Sequence, residues 1–209
     1  MGVRIVTDTS CDLPPSLEQE LDELGVIIVR FLFRFGLEEC EDKTISMQEF
    51  LTRAERVWPT TSVPSSGTFA QAFRGCVEAG DQVVCITITG NHSAVYSAAV
   101  LASQEFPAGQ VTVVDSKSLS IAQGLMVLAA ARAAQEGKSS QAVVETINEL
   151  RERLHLFITL DTVEYLVKGG RASRLTGVMA GLLKLRPILT VLDGELTLLE
   201  KPRGRKASK

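Results

Sequence analysis

Three short β-branched runs set the frame of this chain: VRIV (Val3–Val6), VVCITI (Val83–Ile88) and VTVV (Val111–Val114). Their length and composition predict strands covered on both faces of a parallel sheet. Helical patterns fill the intervals. Pro14-Pro15 opens the first helix and Gly25 closes it. Phe69, Phe73 and Val77 recur at four-residue spacing, giving a second helix one apolar stripe. Ser93 stands at an N-cap, followed by Tyr96, Ala99, Val100 and Phe106. Between Ser120 and Glu136, Ala, Leu, Met and Val dominate, which suits a helix packed on several sides. Gly137 ends it, and Ser139 or Ser140 caps a further helix that runs to about Arg153.

Val26 to Phe35 reads differently. The polar, partly alternating stretch FGLEECEDKT follows it, which predicts a hairpin outside the main sheet. After Arg153 the pattern restarts with a strand His155–Leu160, a helix from Asp161, a KGGR turn and a helix Ser173–Leu183. Two strands then follow, PILTVL and ELTLLE, joined by the hairpin dipeptide Asp193-Gly194. The expected fold class is α/β in two domains. Residues 1–153 form an N-terminal parallel-sheet domain, and residues 154–209 a C-terminal α+β domain with an antiparallel sheet.

With 209 residues, 45% of them hydrophobic, the chain can bury a sizeable core. A net charge of −3 gives no general attraction to nucleic acid or to an anionic membrane. The basic run from Lys201 to Lys209 reads as a solvated tail without an aromatic platform beside it. Cys11, Cys40, Cys76 and Cys85 lack CxxC spacing, and no secretory signal precedes them. They read as reduced thiols, and the protein as cytoplasmic. No apolar run reaches membrane-spanning length.

Candidate chemistry gathers in five polar segments: TDTSCDLP from Thr7, PTTSVPSSG from Pro59, TGNHSAVYS from Thr89, DSKSLS from Asp115 and KGGRASR from Lys168. In an open α/β sheet, loops of this kind meet at the carboxyl ends of the strands, where ligands bind. Ser93 begins a helix, so its hydroxyl and the first free N–H groups suit a carboxylate or phosphate; taken alone it reads rather as a plain cap. Thr60, Thr61 and Ser62 are stiffened by Pro59 and Pro64. Asp8, Thr9, Ser10 and Asp12 read as turn and cap chemistry, because no second acidic cluster and no glycine-rich phosphate loop accompanies them. Lys168 to Arg171 mark a helix end with glycines at positive φ. Arg171 there suits either an anion or a bridge to Asp161 or Glu164. Asp115 to Ser118, with Ser116 and Lys117 between, fix a turn beside the same crevice. His92 and His155 are the only histidines, and G-x-S-x-G, G-x-G-x-x-G, Walker A and H-E-x-x-H patterns are absent. The segments predict capture of a ligand rather than catalysis, with no metal.

Taken in order, these segments resemble the DegV family. TDTSCDLP resembles the family's TDS-x-x-DL opening, with Thr9 in place of its serine. Thr61 to Ser65 resembles TS-x-P-S, Asn91 to Ala98 resembles LSGTYQSA less closely, and Asp115-Ser116-Lys117 matches DSK. Lys168 to Arg171 matches KGGR, and Arg186 to Leu189 resembles KPIL. The resemblance implies two α/β domains with a long-chain fatty acid between them, and no catalysis of the protein's own. It implies a role as the lipid-binding partner of a bacterial fatty acid kinase, whose separate catalytic subunit makes acyl phosphate, a phospholipid precursor. Thr61 and Ser93 would hydrogen-bond the carboxyl group, assisted by Ser62. Lys168, Arg171, Thr9 and Ser116 would contact ligand or partner. The expected ligand is an acid of roughly C14–C18, such as palmitate or oleate, with no other cofactor. Transient membrane contact and a homodimer are further expectations.

Two departures stand out. Ala94 and Val95 replace the family's glycine and threonine. Family members also continue past RGRKA, so the second domain is expected to be incomplete and to leave a sheet edge open to self-association. The alternative reading is a small-molecule phosphotransferase or substrate-binding component of dihydroxyacetone-kinase type. That group has a broadly similar domain arrangement and holds its substrate covalently through a histidine.

Overall fold

In a computed structural model, residues 2–172 and 186–200 are described. The main sheet holds four parallel strands: β1 (Val3–Asp8), β2 (Ile27–Val29), β6 (Gln82–Thr87) and β7 (Val111–Asp115), in the order β2-β1-β6-β7. Alternate side chains leave opposite faces of a strand, and both faces here are covered. Ile5, Val84, Ile86 and Val114 pack against α1 (Pro15–Glu23), α5 (Ser120–Gln135) and α6 (Ser140–Arg153). Val6, Val83 and Cys85 pack against α3 (Ser66–Glu78) and α4 (Val95–Ser103). Burial on both sides is why the strands read as continuous apolar runs. Ser65 and Ser139 cap α3 and α6 by accepting N–H bonds from Thr68 and Ala142.

From β1 the chain moves to one side of the sheet and from β6 to the other. The space beyond the carboxyl ends of these two strands is therefore the switch point at which open α/β sheets bind ligands.

The segment Val26–Phe35 divides, contrary to the single hairpin expected outside the sheet. Its first part, β2, joins the main sheet, pairing with Val6 to Asp8. Thr9 explains the join: its N–H donates to the Val29 carbonyl, and its hydroxyl accepts from the Phe31 N–H. Three residues are too few for alternation to reveal such a strand. Beyond Phe31, β3 (Leu32–Phe35) and β4 (Glu38–Glu41) form the expected hairpin, and β5 (Thr60–Ser62) completes an antiparallel sheet in the order β4-β3-β5. The helix α2 (Met47–Arg56), which the sequence reading did not call, covers this sheet through Phe50, whose ring meets Phe33 and Phe35 edge-on at 4.9 and 5.5 Å.

A third sheet, antiparallel in the order β10-β9-β8, is built from β8 (Phe157–Thr159), β9 (Ile188–Leu192) and β10 (Glu195–Glu200). Asp193 and Gly194 turn the hairpin at φ 49° and 84°, the paired positive angles of a tight turn matched to strand twist. The strand predicted from His155 shortens to β8, and the helix predicted from Asp161 shortens to one turn, α7 (Glu164–Lys168). Of the two glycines that follow, only Gly170 has positive φ, at 73°; Gly169 continues the helical conformation. The predicted helix Ser173–Leu183 and the basic run from Lys201 lie outside the described residues. Among those described, no helix is long and apolar enough to cross a membrane, and Cys11, Cys40, Cys76 and Cys85 are free thiols.

Candidate ligand-binding cleft

The loop after β6 is fixed at successive positions by its neighbours. The buried Asp8 carboxylate accepts the Ile88 N–H at 2.8 Å and the Ser10 N–H at 2.9 Å, and also bonds the Ser10 hydroxyl. Burial holds the Asp8 carboxyl above its ordinary value of 3.8, against these donors, which pull it down. The Thr89 N–H donates to the Ser118 carbonyl, and the Gly90 N–H to Asp115 Oδ2. Asp115 Oδ1 also accepts the Lys117 N–H, closing the predicted DSK turn with Lys117 at φ 54°. Ser93 follows this pinned loop. Its hydroxyl accepts the Val95 N–H at 3.4 Å, while Ala94 occupies the cap position without a side-chain bond. Ser93 thus stands one residue earlier than the cap expected of it. Val95, the first residue of α4, is fully buried in the core that α3 and α4 share with the main sheet.

Thr61 is presented from the other side. In β5 it lies directly opposite Phe33 of β3, and opposed residues share one face of an antiparallel pair. Hydroxyl and ring therefore enter the same space. That space is a cleft of about 1030 Å³, at the upper end of the volumes usual for small-molecule sites. Thr60, Thr61, Ser62, Ser93 and His92 give it hydroxyl and imidazole groups. Phe31, Phe33, Phe50, Leu51, Ala54 and Trp58 form one apolar wall, and Ile88, Leu119 and Leu196 the other. Lys168, Arg171, Glu164 and Tyr165 also border it.

Five of the seven residues singled out from sequence thus share one cleft: Thr61, Ser62, Ser93, Lys168 and Arg171. Thr9 and Ser116 do not line it. Both are buried, Thr9 fixing Phe31 and Ser116 exchanging hydrogen bonds with Ser118, so each acts on the cleft through the backbone it positions. The bridge considered for Arg171 is formed by other residues: Asp161 pairs with Arg186 at 2.8 Å and Glu164 with Lys168 at 2.7 Å. Arg171 Nη1 donates to the Gly169 carbonyl at 2.6 Å. Among the described residues no cluster of His, Cys, Asp and Glu could hold a metal ion.

Two parts of the site escaped the sequence reading. The aromatic wall comes from α2 and the strands beneath it. A signal was present: Met47, Phe50, Leu51 and Ala54 keep helical spacing, and Ser46 with Glu49 forms an S-x-x-E capping pattern. In the structure the Ser46 hydroxyl accepts the Glu49 N–H at 3.2 Å. The second part is a clasp between the β6–α4 loop and the β9–β10 hairpin. His92 Nε2 accepts the Leu196 N–H at 2.8 Å, Thr89 Oγ1 donates to the Gly194 carbonyl at 3.0 Å, and Asn91 Nδ2 donates to the Asp193 carbonyl at 3.3 Å. An accepting Nε2 places the proton of the neutral ring on Nδ1. No sequence signal joins residues about a hundred positions apart.

A doubly covered parallel sheet, with loops that carry hydroxyls into a largely apolar cleft, defines an α/β ligand-binding protein. The chain belongs to the DegV family: the family model described as "Uncharacterised protein, DegV family" matches residues 2–209. A DegV domain-containing protein of Lactococcus lactis is 35% identical over 208 residues, which cover 99% of this chain and 73% of that protein. Among solved structures, a DegV family protein from Thermus thermophilus, described as fatty acid binding, superposes with a TM-score of 0.88 at 34% identity, covering 100% of this chain and 74% of that one. A stearic-acid-binding protein from Eubacterium ventriosum superposes with a TM-score of 0.83 at 30% identity, covering 98% and 72%. The α/β class and the family resemblance carried by the sequence motifs both stand.

Proposed function

We propose that this chain binds a long-chain fatty acid in the cleft, with the carboxyl group at Thr61, Ser62 and Ser93 and the acyl chain along the aromatic wall. The observation that carries this reading is the polarity of the cleft, where a small set of hydroxyls adjoins walls of Phe, Trp, Ile and Leu. Each buried methylene contributes about 0.8 kcal/mol before ordering costs, so the chain supplies affinity and the hydroxyls set direction. The Thermus and Eubacterium neighbours, described as binding fatty acid and stearic acid, support the ligand class.

The carboxyl group, held at the switch point of the sheet, is then presented to a separate fatty acid kinase subunit. This protein orients the acid, and the partner performs phosphoryl transfer. A substrate held covalently on histidine fits less well. The His92 Nε2 lone pair is engaged by Leu196, and His155 is exposed outside the cleft.

Extraction of purified protein followed by mass spectrometry should yield a C16 or C18 acid, within the roughly C14–C18 span such a cleft accommodates. A nucleotide or sugar phosphate at full occupancy would refute the assignment. Thr61→Ala and Ser93→Ala should each weaken palmitate binding by roughly 1.5–3 kcal/mol, the worth of a hydrogen bond to a charged group, with melting unchanged. Acyl phosphate should form when palmitate-loaded protein meets the kinase subunit and ATP, and should fall with the same substitutions. Equal yields from the variants would separate presentation from these hydroxyls.

A further inference from the structure

Trp58 and Tyr165 face each other across the cleft. Trp58 lies between α2 and β5, beside the β4-β3-β5 sheet, and Tyr165 lies on α7, next to the third sheet. Their rings stack at 5.3 Å with only 7° between planes. Lys168 Nζ sits 5.0 Å from the Trp58 ring centroid, and Glu164 holds that ammonium at 2.7 Å. All four residues border the cleft, and Tyr165 is 58% exposed, so the stack lies at the mouth and not in the interior.

The way α7 is held makes the stack more than wall packing. The helix has a single turn and contains no buried residue. Leu166 reaches the small core around Leu189 and Leu196, while Tyr165 and Lys168 both meet Trp58 on the opposite side of the cleft. A short helix with little buried surface opens at low free-energy cost. The contact that closes it is a flat aromatic pair with a cation over one ring, which breaks and re-forms without disturbing either core.

We propose that Trp58, Tyr165 and Lys168 form a latch across the mouth of the cleft, and that ligand is taken up and released by breaking this stack. The proposal rests on the cleft's being the fatty-acid site. A latch sets rates in both directions and leaves the balance between them nearly unchanged. A wall contact acts differently, because its loss speeds release and weakens affinity together.

The chain contains one tryptophan, so its emission reports the stack directly. Palmitate-loaded protein is mixed with excess phosphatidylcholine vesicles, release is timed, and uptake is timed in the reverse direction. Tyr165→Ala should speed uptake and release alike by up to about tenfold, in keeping with loss of one stacked pair. The dissociation constant should stay within about threefold, and Trp58 should become more accessible to acrylamide. Tyr165→Phe, which keeps the stack, should behave as wild type. The latch is overturned if Tyr165→Ala leaves both rates unchanged, or raises release alone with a matching loss of affinity. If the wild type takes up no palmitate, the fatty-acid reading falls and acrylamide quenching decides the latch. Greater exposure of Trp58 in Tyr165→Ala then supports closure by the stack, and unchanged exposure refutes it.

Discussion

Gly194 is the point at which the third sheet meets the main one, and Gly194→Ala tests how the cleft is assembled. A Cβ there would lie 2.6 Å from Thr89 Oγ1 and 3.0 Å from Asn91 Nδ2, the two side chains that bond the hairpin tip. The residue also has φ 84°, where an L side chain costs about 1–2 kcal/mol. Relief of the clash withdraws the tip and loses both bonds, at about 1 kcal/mol each. The expected loss is roughly 3–4 kcal/mol, confined to docking of the hairpin because the main sheet keeps its own two-sided core. Amide exchange reads this directly. The Leu196 N–H, which donates to His92 Nε2, should exchange at least about a hundredfold faster, while Val84 and Cys85 in β6 keep their protection. Gly194→Asn separates the two causes, since asparagine tolerates positive φ but still carries a Cβ. Equal damage in both variants assigns the effect to the close approach. Unchanged protection of Leu196 in Gly194→Ala would show that the clasp does not hold the hairpin.

Gly124→Ala would set a Cβ 2.7 Å from Leu13 Cγ and Cδ2 where α5 crosses the β1–α1 loop; overpacking should lower stability by about 1–3 kcal/mol in urea unfolding, and an unchanged midpoint would contradict the packing. Phe50→Ala removes the edge-on contacts with Phe33 and Phe35, and should weaken palmitate binding while sparing the main sheet; undiminished affinity in titration would remove α2 from the binding wall. Asp8, with its folded pKa raised above 3.8 by burial, binds its proton more tightly when folded, so its titration favours folding at low pH and that advantage is lost as pH rises through the raised value. The stability of wild type minus that of Asp8→Asn should therefore fall with rising pH across this window, and a difference that grows with pH would reverse the assignment.

What the sequence revealed follows from how local each signal is. Buried strands such as β6 announce themselves because Val83 to Ile86 are apolar whichever face they take. The cap at Ser139 and the turn at Asp193-Gly194 depend on neighbours a few positions away. Thr61, Ser62 and Ser93 were legible as rigid hydroxyls at strand and helix ends, although Ser93 fell one residue outside the cap. β2 was hidden because three residues carry no period, and its pairing depends on Thr9. The wall at Phe31 and Phe33, the Trp58–Tyr165 stack and the His92–Leu196 bond join distant segments, so nothing local marks them. α2 alone was legible and passed over, since its spacing and its Ser46 cap were both present.

The cleft combines two kinds of support, and the contrast bears on its selectivity. On the Ser93 side, Asp8 and Asp115 fix Ile88, Gly90 and Lys117, and Arg151 Nη2 donates to the Asp115 carbonyl at 2.7 Å. Ser93 leaves a loop whose backbone has little freedom, so its hydroxyl is oriented before any ligand arrives, and little ordering cost remains at binding. The far walls are held more lightly: neither α2 nor α7 contains a buried residue. Lightly held apolar walls adjust to the bulk and bend of a hydrocarbon chain, whereas pinned hydroxyls do not adjust to a different head group. With the acid bound as proposed, the arrangement should discriminate strongly at the carboxyl end and weakly along the tail. Stearate and oleate, equal in carbon number and different in bend, should compete within about tenfold of one another, because a small difference in an apolar site is worth only about 1–3 kcal/mol even when its walls are rigid. The corresponding alcohol or methyl ester should lose far more, since it cannot present a carboxylate to Thr61 and Ser93.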